Sequence, residues 1–485
     1  MSNVQRSLAF SALSKYINMG INLASVVIFS RLLTPDELGV HVVAVAIAAL
    51  AIEVRLLGTG GYLIRKESIS KLDCQRVVGV TMAISFPLGI LMFLTSGWVG
   101  SLFDEPGVDN VLAVLSLGFI TAPFISVSRS VLSRDFRFDV LLLNNVLATV
   151  ITFLASLAAL FLNAGYMSLS IGLVVGQFSK MLFFIFYKSP DISWKPVFKN
   201  TLEVFKFGVF VSQAALLRKL AETSPDIIIG KLGNPALAAI FSRSIGLYKF
   251  FFDSVSSAVQ PVVMPYLSNV KRVKGNTAEA YLNAVTHLSI LIIPVLSVLA
   301  LSAKPAILLM FGDQWLDSVQ YVPALCILGM IRCIYCWADT MLVTAGFEKT
   351  NFYRQIVITI CTILLCIVGF NFGLIYVAWG LVITTVVDSV LLGIALKRYC
   401  KVSPSSVMKS HLPSVSVGII CAALTLALDY LFEFNNISPF YVLVLLGLFM
   451  PIIWMLSVLA LKHPISDIIW SLLSKFIGIK KSTQN

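Results

Sequence analysis

Two stretches carry charge where apolar residues dominate. Arg218, Lys219, Glu222 and Asp226 punctuate one apolar run, and Arg243, Lys249 and Asp253 the next, on either side of Gly233-Asn234-Pro235. Glu53 with Arg55, Arg332 with Asp339, and a solitary Asp388 repeat the pattern in other apolar runs. An ionised side chain in lipid costs about 2.5–3.5 kcal/mol on insertion scales, so these groups face protein or a water-filled path. What they can do there is hold charge. Arg218, Glu222 and Asp226 at i, i+4 and i+8, Lys249 and Asp253 at i, i+4, and Arg332 and Asp339 seven apart could each neutralise one another on a single helix face. Arg243 has no acid at i±3 or i±4, so its partner must come from elsewhere in the fold. Bond-making chemistry has no comparable constellation. His41, His287, His411 and His463 are scattered, without metal-ligand spacing. No G-x-x-x-x-G-K-[ST] loop cradles a nucleotide. Cys333-Ile-Tyr-Cys336 lies in an apolar run and reads as buried small side chains.

The elements that must position these charges are membrane helices. The chain has 485 residues, 58% hydrophobic and only 12% charged, with a mean hydropathy of +0.91; soluble chains carry about 25% charge. Its apolar runs are about 20 residues long, the length of a helical span, and lack the short alternating pattern of barrel strands. The expectation is an all-α integral membrane protein with about fourteen spans, from residues 11–33 to residues 439–461. The net charge of +12 comes from bases that punctuate these runs rather than from one patch, which excludes a nucleic-acid partner. With the N-terminus inside, Lys and Arg gather in the cytoplasmic segments, among them Arg65, Lys66, Lys71 and Arg76, and Lys349 with Arg354. The outer turns are acidic, as at Asp36-Glu37 and Asp104-Glu105. Both termini are then cytoplasmic, and no cleavable signal is expected.

A shift of 200 residues lays Ser30-Arg31-Leu32-Leu33-Thr34-Pro35 on Gly230-Lys231-Leu232-Gly233-Asn234-Pro235. Each block separates a long first span from a long second one. The reading is two parallel six-helix bundles around a central cavity, residues 1–188 and 207–398. An interfacial linker at 189–206 joins them, expected to be helical from the spacing of Trp194, Val197, Phe198, Leu202 and Phe205. Two further helices fill 399–461, and 462–485 forms a cytoplasmic amphipathic tail on the membrane lipids.

Phe29-Ser30-Arg31-Leu32-Leu33-Thr34-Pro35-Asp36-Glu37-Leu38-Gly39, the turn Leu57-Gly58-Thr59-Gly60-Gly61-Tyr62-Leu63-Ile64-Arg65 and Gln260-Pro261-Val-Val-Met-Pro265 carry a resemblance. The chain resembles oligosaccharide and polysaccharide flippases of the multidrug/oligosaccharidyl-lipid/polysaccharide exporter superfamily, above all the bacterial branch exporting capsule and exopolysaccharide repeat units. Glu53-Val-Arg55 departs from the charge pattern of many members. The resemblance implies a flippase of the inner membrane that moves a polyprenyl-pyrophosphate-linked oligosaccharide by alternating access, beside a polysaccharide polymerase and glycosyltransferases. Cations would hold the pyrophosphate, arginine as a fork and lysine as a point charge: Arg55, Arg218, Lys219, Arg243, Lys249 and Arg332. No cofactor is implied. Coupling to an H+ or Na+ gradient would need a carboxylate, for which Asp226, Asp253, Asp339 and Asp388 are candidates. A multidrug cation antiporter of the same superfamily is the nearest rival, and a membrane-embedded polysaccharide polymerase or ligase the next. A basic core argues against the first, and the lack of a long outer loop against the second.

Overall fold

The computed structural model describes residues 3–56, 59–66, 68–187, 192–273, 275–461, 463 and 465–466. Among these residues every regular element is helical. Lipid offers no partner to a peptide group, so a spanning backbone must satisfy its own N–H and C=O groups. By contact the chain divides into two units, Met1–Ser242 with Gln355–Asn371, and Arg243–Arg354 with Phe372–Asn485.

The first unit begins with α1 (Asn3–Leu32), α2 (Pro35–Leu56), α3 (Thr59–Arg65), α4 (Lys71–Leu102) and α5 (Pro106–Ser116). It continues with α6 (Ala122–Arg134), α7 (Phe138–Phe161), α8 (Ser168–Tyr187) and α9 (Leu202–Leu232). The long helix α10 (Pro235–Arg272) starts there and runs into the second unit. The second unit holds α11 (Thr277–Leu301), α12 (Ala303–Met310), α13 (Val322–Ile334) and α14 (Ala338–Ala345). After α15 (Glu348–Phe372), which also belongs to both units, come α16 (Leu374–Cys400), α17 (Pro404–Phe432) and α18 (Pro439–Ala460). Among the described residues, eleven segments are long and apolar enough to cross a membrane. Helices α1, α9 and α10, at 30, 31 and 38 residues, also have spanning length.

The 200-residue repeat extends into local structure. Proline opens both α2 and α10, at Pro35 and Pro235. A 3-10 turn at Leu117–Thr121 precedes α6, and another at Asp313–Tyr321 precedes α13. In both, proline follows at the same offset, Pro123 and Pro323. Ala122 and Val322 donate to Phe119 and Val319 rather than one residue further back. That choice frees the carbonyls of Gly118 and Ser318. Arg55 Nη1 at 3.1 Å and Thr121 Oγ1 at 2.7 Å take the first; Ser244 Oγ at 2.7 Å takes the second. Phe119 O, deprived of the N–H that Pro123 lacks, accepts from Ser85 Oγ at 2.6 Å.

Helices α7 and α8 touch through small residues. A Cβ on Gly172 would run into Ser156 Oγ, and one on Gly176 into Thr152 Oγ1. Small residues four apart allow such backbone approach in membranes. Gly176→Leu is expected to force the helices apart at a cost of about 1–3 kcal/mol, whereas Gly97→Leu, with nothing near its Cβ, should be silent. Thermal unfolding of the detergent-solubilised variants compares them.

The interfacial helix expected in the linker does not form: residues 192–198 are irregular and packed on α4. Val197 N donates to Gln75 O at 3.1 Å, Gln75 Nε2 to Ser193 Oγ at 2.9 Å, and Trp194 lies against Phe124. Pro196 removes one helical donor and disfavours helical backbone at Lys195. The apolar spacing serves burial on α4, where Gly79 leaves room for the Val197 carbonyl. Residues 189–191 of the linker and 462, 464 and 467–485 of the tail lie outside the described residues.

Three histidines far apart in sequence are brought together in the second unit. The His463 ring is fully buried, 6.5 Å from that of His287, and its Nε2 donates to Ser414 Oγ at 3.3 Å while Nδ1 accepts from Ile465 N. Burial, then the nearby His287 and His411, push its pKa from 6.5 down to about 4. The folded chain therefore resists a proton that the unfolded chain accepts. Stability from this group is complete above pH 6.5 and is lost as pH falls from 6.5 toward 4, by at most about 1.4 kcal/mol per pH unit. The drop in thermal midpoint between pH 7.5 and pH 5 should be smaller in His463→Gln.

Candidate functional site

The second unit gathers its charges where two helices are interrupted. The run 319–345 was expected to be one helix, with Arg332 and Asp339 on one face. Instead Trp337 adopts left-handed backbone (φ +59°) between α13 and α14. Arg332 is exposed over the Phe252 ring at 5.7 Å. Asp339 accepts from Arg354 Nη2 at 2.5 Å.

Arg354 lies in the second turn of α15 and is only 8% exposed. Its Nη1 pairs with Asp388 of α16, and Nε and Nη2 donate to Asn351 Oδ1 at 3.2 and 2.9 Å. One guanidinium thus ties α14, α15 and α16. Asp388, which has no cation within one turn of its own helix, finds one on the neighbouring helix. Charge-assisted bonds of this kind are roughly twice as strong as neutral ones.

Arg243 lies over Trp315 at 5.4 Å and Phe311 at 5.8 Å, both deeply buried. Lys249 is half-buried and Asp253 exposed on α10. No ion pair joins them among the described residues.

In the first unit, Arg55 is 9% exposed, bonded to the Gly118 carbonyl and stacked 5.0 Å from the Phe119 ring. On α9 the ion pair is Lys219–Glu222, 3.6 Å. Arg218 is exposed beside it and Asp226 half-buried one turn beyond. Pro225 interrupts the hydrogen bonding of α9, and the Ala221 carbonyl it leaves accepts from Ser224 Oγ at 3.1 Å. Thr359 Oγ1 ties α15 to the Leu217 carbonyl at 3.0 Å.

A second charged cluster closes the turn between α3 and α4. Ser70 and Asp73 form a reciprocal capping box, and Asp73 takes Lys66 Nζ at 2.7 Å and Arg76 at 3.9 Å. The hydrogen bond to Asp73 raises the Lys66 pKa. Arg134 donates to the Leu63 carbonyl at 3.1 Å and to that of Lys66. Asp73→Ala removes the Asp73 half of the capping box and the pair's acid together, and should lower stability by about 1–2 kcal/mol, read as a fall in the thermal midpoint.

These arrangements can hold an anion by fork and point charge, or exchange a proton at a carboxylate. Asp339 and Asp388, predicted at membrane depth, meet Arg354, which was not; Arg243 lies on its aromatic ledge, and Arg218 and Lys219 lie along α9. Sequence reasoning missed Arg354 and Asn351. Their signal was there, since Asn351 and Arg354 lie one turn apart beside an apolar run.

A family model described as "polysaccharide biosynthesis protein" matches residues 28–320. Among curated relatives, the teichuronic acid biosynthesis protein TuaB of Bacillus subtilis is 22% identical, over 77% of this chain and 79% of its own. The lipopolysaccharide biosynthesis protein WzxC of Escherichia coli is 18% identical over 79% and 78%. The succinoglycan biosynthesis transport protein ExoT of Rhizobium meliloti is 24% identical over 64% and 63%. Among solved structures, the lipid II flippase MurJ in an inward closed conformation superposes with a TM-score of 0.74 at 16% identity, covering 95% of this chain and 99% of that one. An inward-facing multidrug resistance MATE family transporter superposes with a TM-score of 0.64 at 16% identity, over 81% and 96%. The fold is therefore shared with both transporter types, and the chain is a multi-pass membrane protein.

Proposed function

Because the chain belongs to the polysaccharide biosynthesis protein family, we propose that it is a flippase, a transporter rather than an enzyme. It carries a polyprenyl-pyrophosphate-linked oligosaccharide from the cytoplasmic to the outer leaflet of the bacterial inner membrane, with both termini in the cytoplasm. The observation that carries this reading is the family match, joined by a fold shared with a lipid II flippase along nearly the whole chain. The substrate's headgroup is polar and anionic, and the charges at membrane depth supply its counterions. Arg218, Lys219, Lys249 and Arg332 are accessible enough to meet it. Arg243, stacked by its face on Trp315 and Phe311, is a further cation for the pyrophosphate. Arg55, held at Gly118 and Phe119, positions the 3-10 turn before α6. Asp226, Asp253, Asp339 and Asp388 are the carboxylates through which a proton or sodium gradient would act. A polymerase would take the product, and glycosyltransferases would build the substrate.

Cation antiport is the second reading, favoured by the likeness to a MATE transporter. The two differ in the sign of the charge bound. In a strain lacking the protein, lipid-linked oligosaccharide should accumulate facing the cytoplasm, and Arg218→Ala should restore export less well than wild type. Accumulation on the outer face instead would place the protein after translocation.

A further inference from the structure

Arg129 and Lys180 are charges that the transport role described so far leaves unused. Lys180 is half-buried, two turns before α8 ends at Tyr187, and is the only charged residue of that helix. Arg129 is exposed in the last two turns of α6, a helix without acids. The two act on each other electrostatically, and no acid among the described residues acts on Lys180. Neither makes an ion pair or a hydrogen bond among the described residues. Asp139, on the neighbouring α7, is taken by Arg137 at 3.1 Å. Other cations at membrane depth have an acid, a carbonyl or aromatic rings beside them, as Lys219, Arg55 and Arg243 do. Here two like charges meet within the first unit, and an anion would compensate both.

The polar groups beside the pair narrow the choice of anion. Asn144 of α7, 2% exposed, donates Nδ2 to the Lys180 carbonyl at 3.2 Å. That bond fixes the amide, so Oδ1 is the atom left to accept. Gln177, one turn before Lys180 on α8, meets Thr121 Oγ1 at 3.3 Å with one side of its amide. The other side makes no hydrogen bond among the described residues. An ionised phosphate oxygen has no proton to give to Asn144 Oδ1, whereas a sugar hydroxyl both donates and accepts. Two cations beside two amides therefore suit a sugar ring with a carboxylate better than a bare diphosphate. We propose that this part of the first unit is a saccharide subsite for a carboxylate-bearing sugar, which makes the substrate an acidic repeat unit. The inference rests on the flippase reading and names its substrate more closely. Arg129 offers the carboxylate a fork and Lys180 a point charge, while Asn144 and Gln177 meet ring hydroxyls. A neutral sugar leaves the two charges uncompensated, and that difference is the basis of selection.

The test starts from the lipid-linked intermediate that accumulates in the deletion strain. Mild acid releases its oligosaccharide from the pyrophosphate, and mass spectrometry reads whether a carboxylated sugar is present. The released oligosaccharide is then titrated against the full chain in detergent, beside its carboxyl-reduced form. Wild type should bind the acidic form about tenfold more tightly, the worth of one charge-assisted hydrogen bond. In the double variant Arg129→Gln with Lys180→Gln that preference should vanish, while the reduced form binds as before. Without ligand the double variant should unfold no earlier than wild type, because a repulsion has been removed; a merely structural pair predicts earlier unfolding. A neutral repeat unit, equal binding of both forms by wild type, a preference that survives the double variant, earlier unfolding of that variant, or displacement of the oligosaccharide by inorganic pyrophosphate each overturns the subsite. If no intermediate accumulates facing the cytoplasm, the flippase reading fails and the subsite falls with it. If a neutral one accumulates there, the subsite alone fails.

Discussion

Arg354→Ala is expected to lower stability by about 3 kcal/mol, the cost of leaving buried charges unpaired, and to lower the thermal midpoint more than loss of any other arginine discussed above. The reason is geometric. Arg354 is the shared partner of Asp339, Asp388 and Asn351, drawn from α14, α15 and α16. Without it two half-buried carboxylates face each other in a low-dielectric setting. Arg354→Lys should be intermediate, since a point charge cannot span both acids. Arg332→Ala should cost little, because Arg332 is exposed and stacks at 5.7 Å over a single ring, a contact worth about 0.5–1 kcal/mol at exposed sites. Asparagine at both 339 and 388 should restore most of the stability lost by Arg354→Ala. Thermal unfolding of the five proteins in one detergent orders them. If Arg354→Ala unfolds with wild type, the cluster does not hold the three helices together.

Much of this was legible in sequence, and the parts that were not have identifiable causes. The helical membrane class follows from composition, and the repeat from Pro35 and Pro235. The same 200-residue offset recurs at Pro123 and Pro323, where proline forces a 3-10 turn and frees a carbonyl for capping. Arg354 was read only as one base of a cytoplasmic segment beside Lys349, and its pairing was not foreseen. Its acids are on other helices, and helix periodicity carries no information about them. The break within the run 319–345 was not foreseen, because the chain reverses handedness at Trp337, a residue with no glycine or proline signal for left-handed backbone. The linker misled in the opposite way. Its apolar residues recur at helical spacing, yet Pro196 and the donors and acceptors of α4 drew the segment into an irregular path. Arg243 was predicted to need a partner from elsewhere; an aromatic ledge of Trp315 and Phe311 lies against it, which no charge pattern would indicate.

Gly39→Ala is the other change with a large expected effect, although it adds a single methyl group. Gly39 lies in the second turn of α2, and a Cβ there would run into the Pro235 carbonyl, with Ala236 N at 2.7 Å. These are backbone atoms of the first turn of α10, and backbone cannot rotate aside. The helix pair would have to separate, and overpacking of this kind costs about 1–3 kcal/mol. Gly230 of α9 offers the internal comparison. Its added Cβ would meet the Val43 side chain rather than backbone, so Gly230→Ala should be rescued by Val43→Ala. No trimming of a side chain can rescue Gly39→Ala. Gly20→Ala, with nothing near its Cβ, sets the baseline in the same thermal unfolding series. The two close approaches join α2 to the α9–α10 turn where the repeated prolines begin their helices. A transporter that parts its second and eighth spans must break this contact, so Gly39→Ala should also shift a cysteine placed at Leu237 toward faster labelling by a membrane-impermeant maleimide. Unchanged labelling together with lowered stability would mean that the contact holds the fold without gating it.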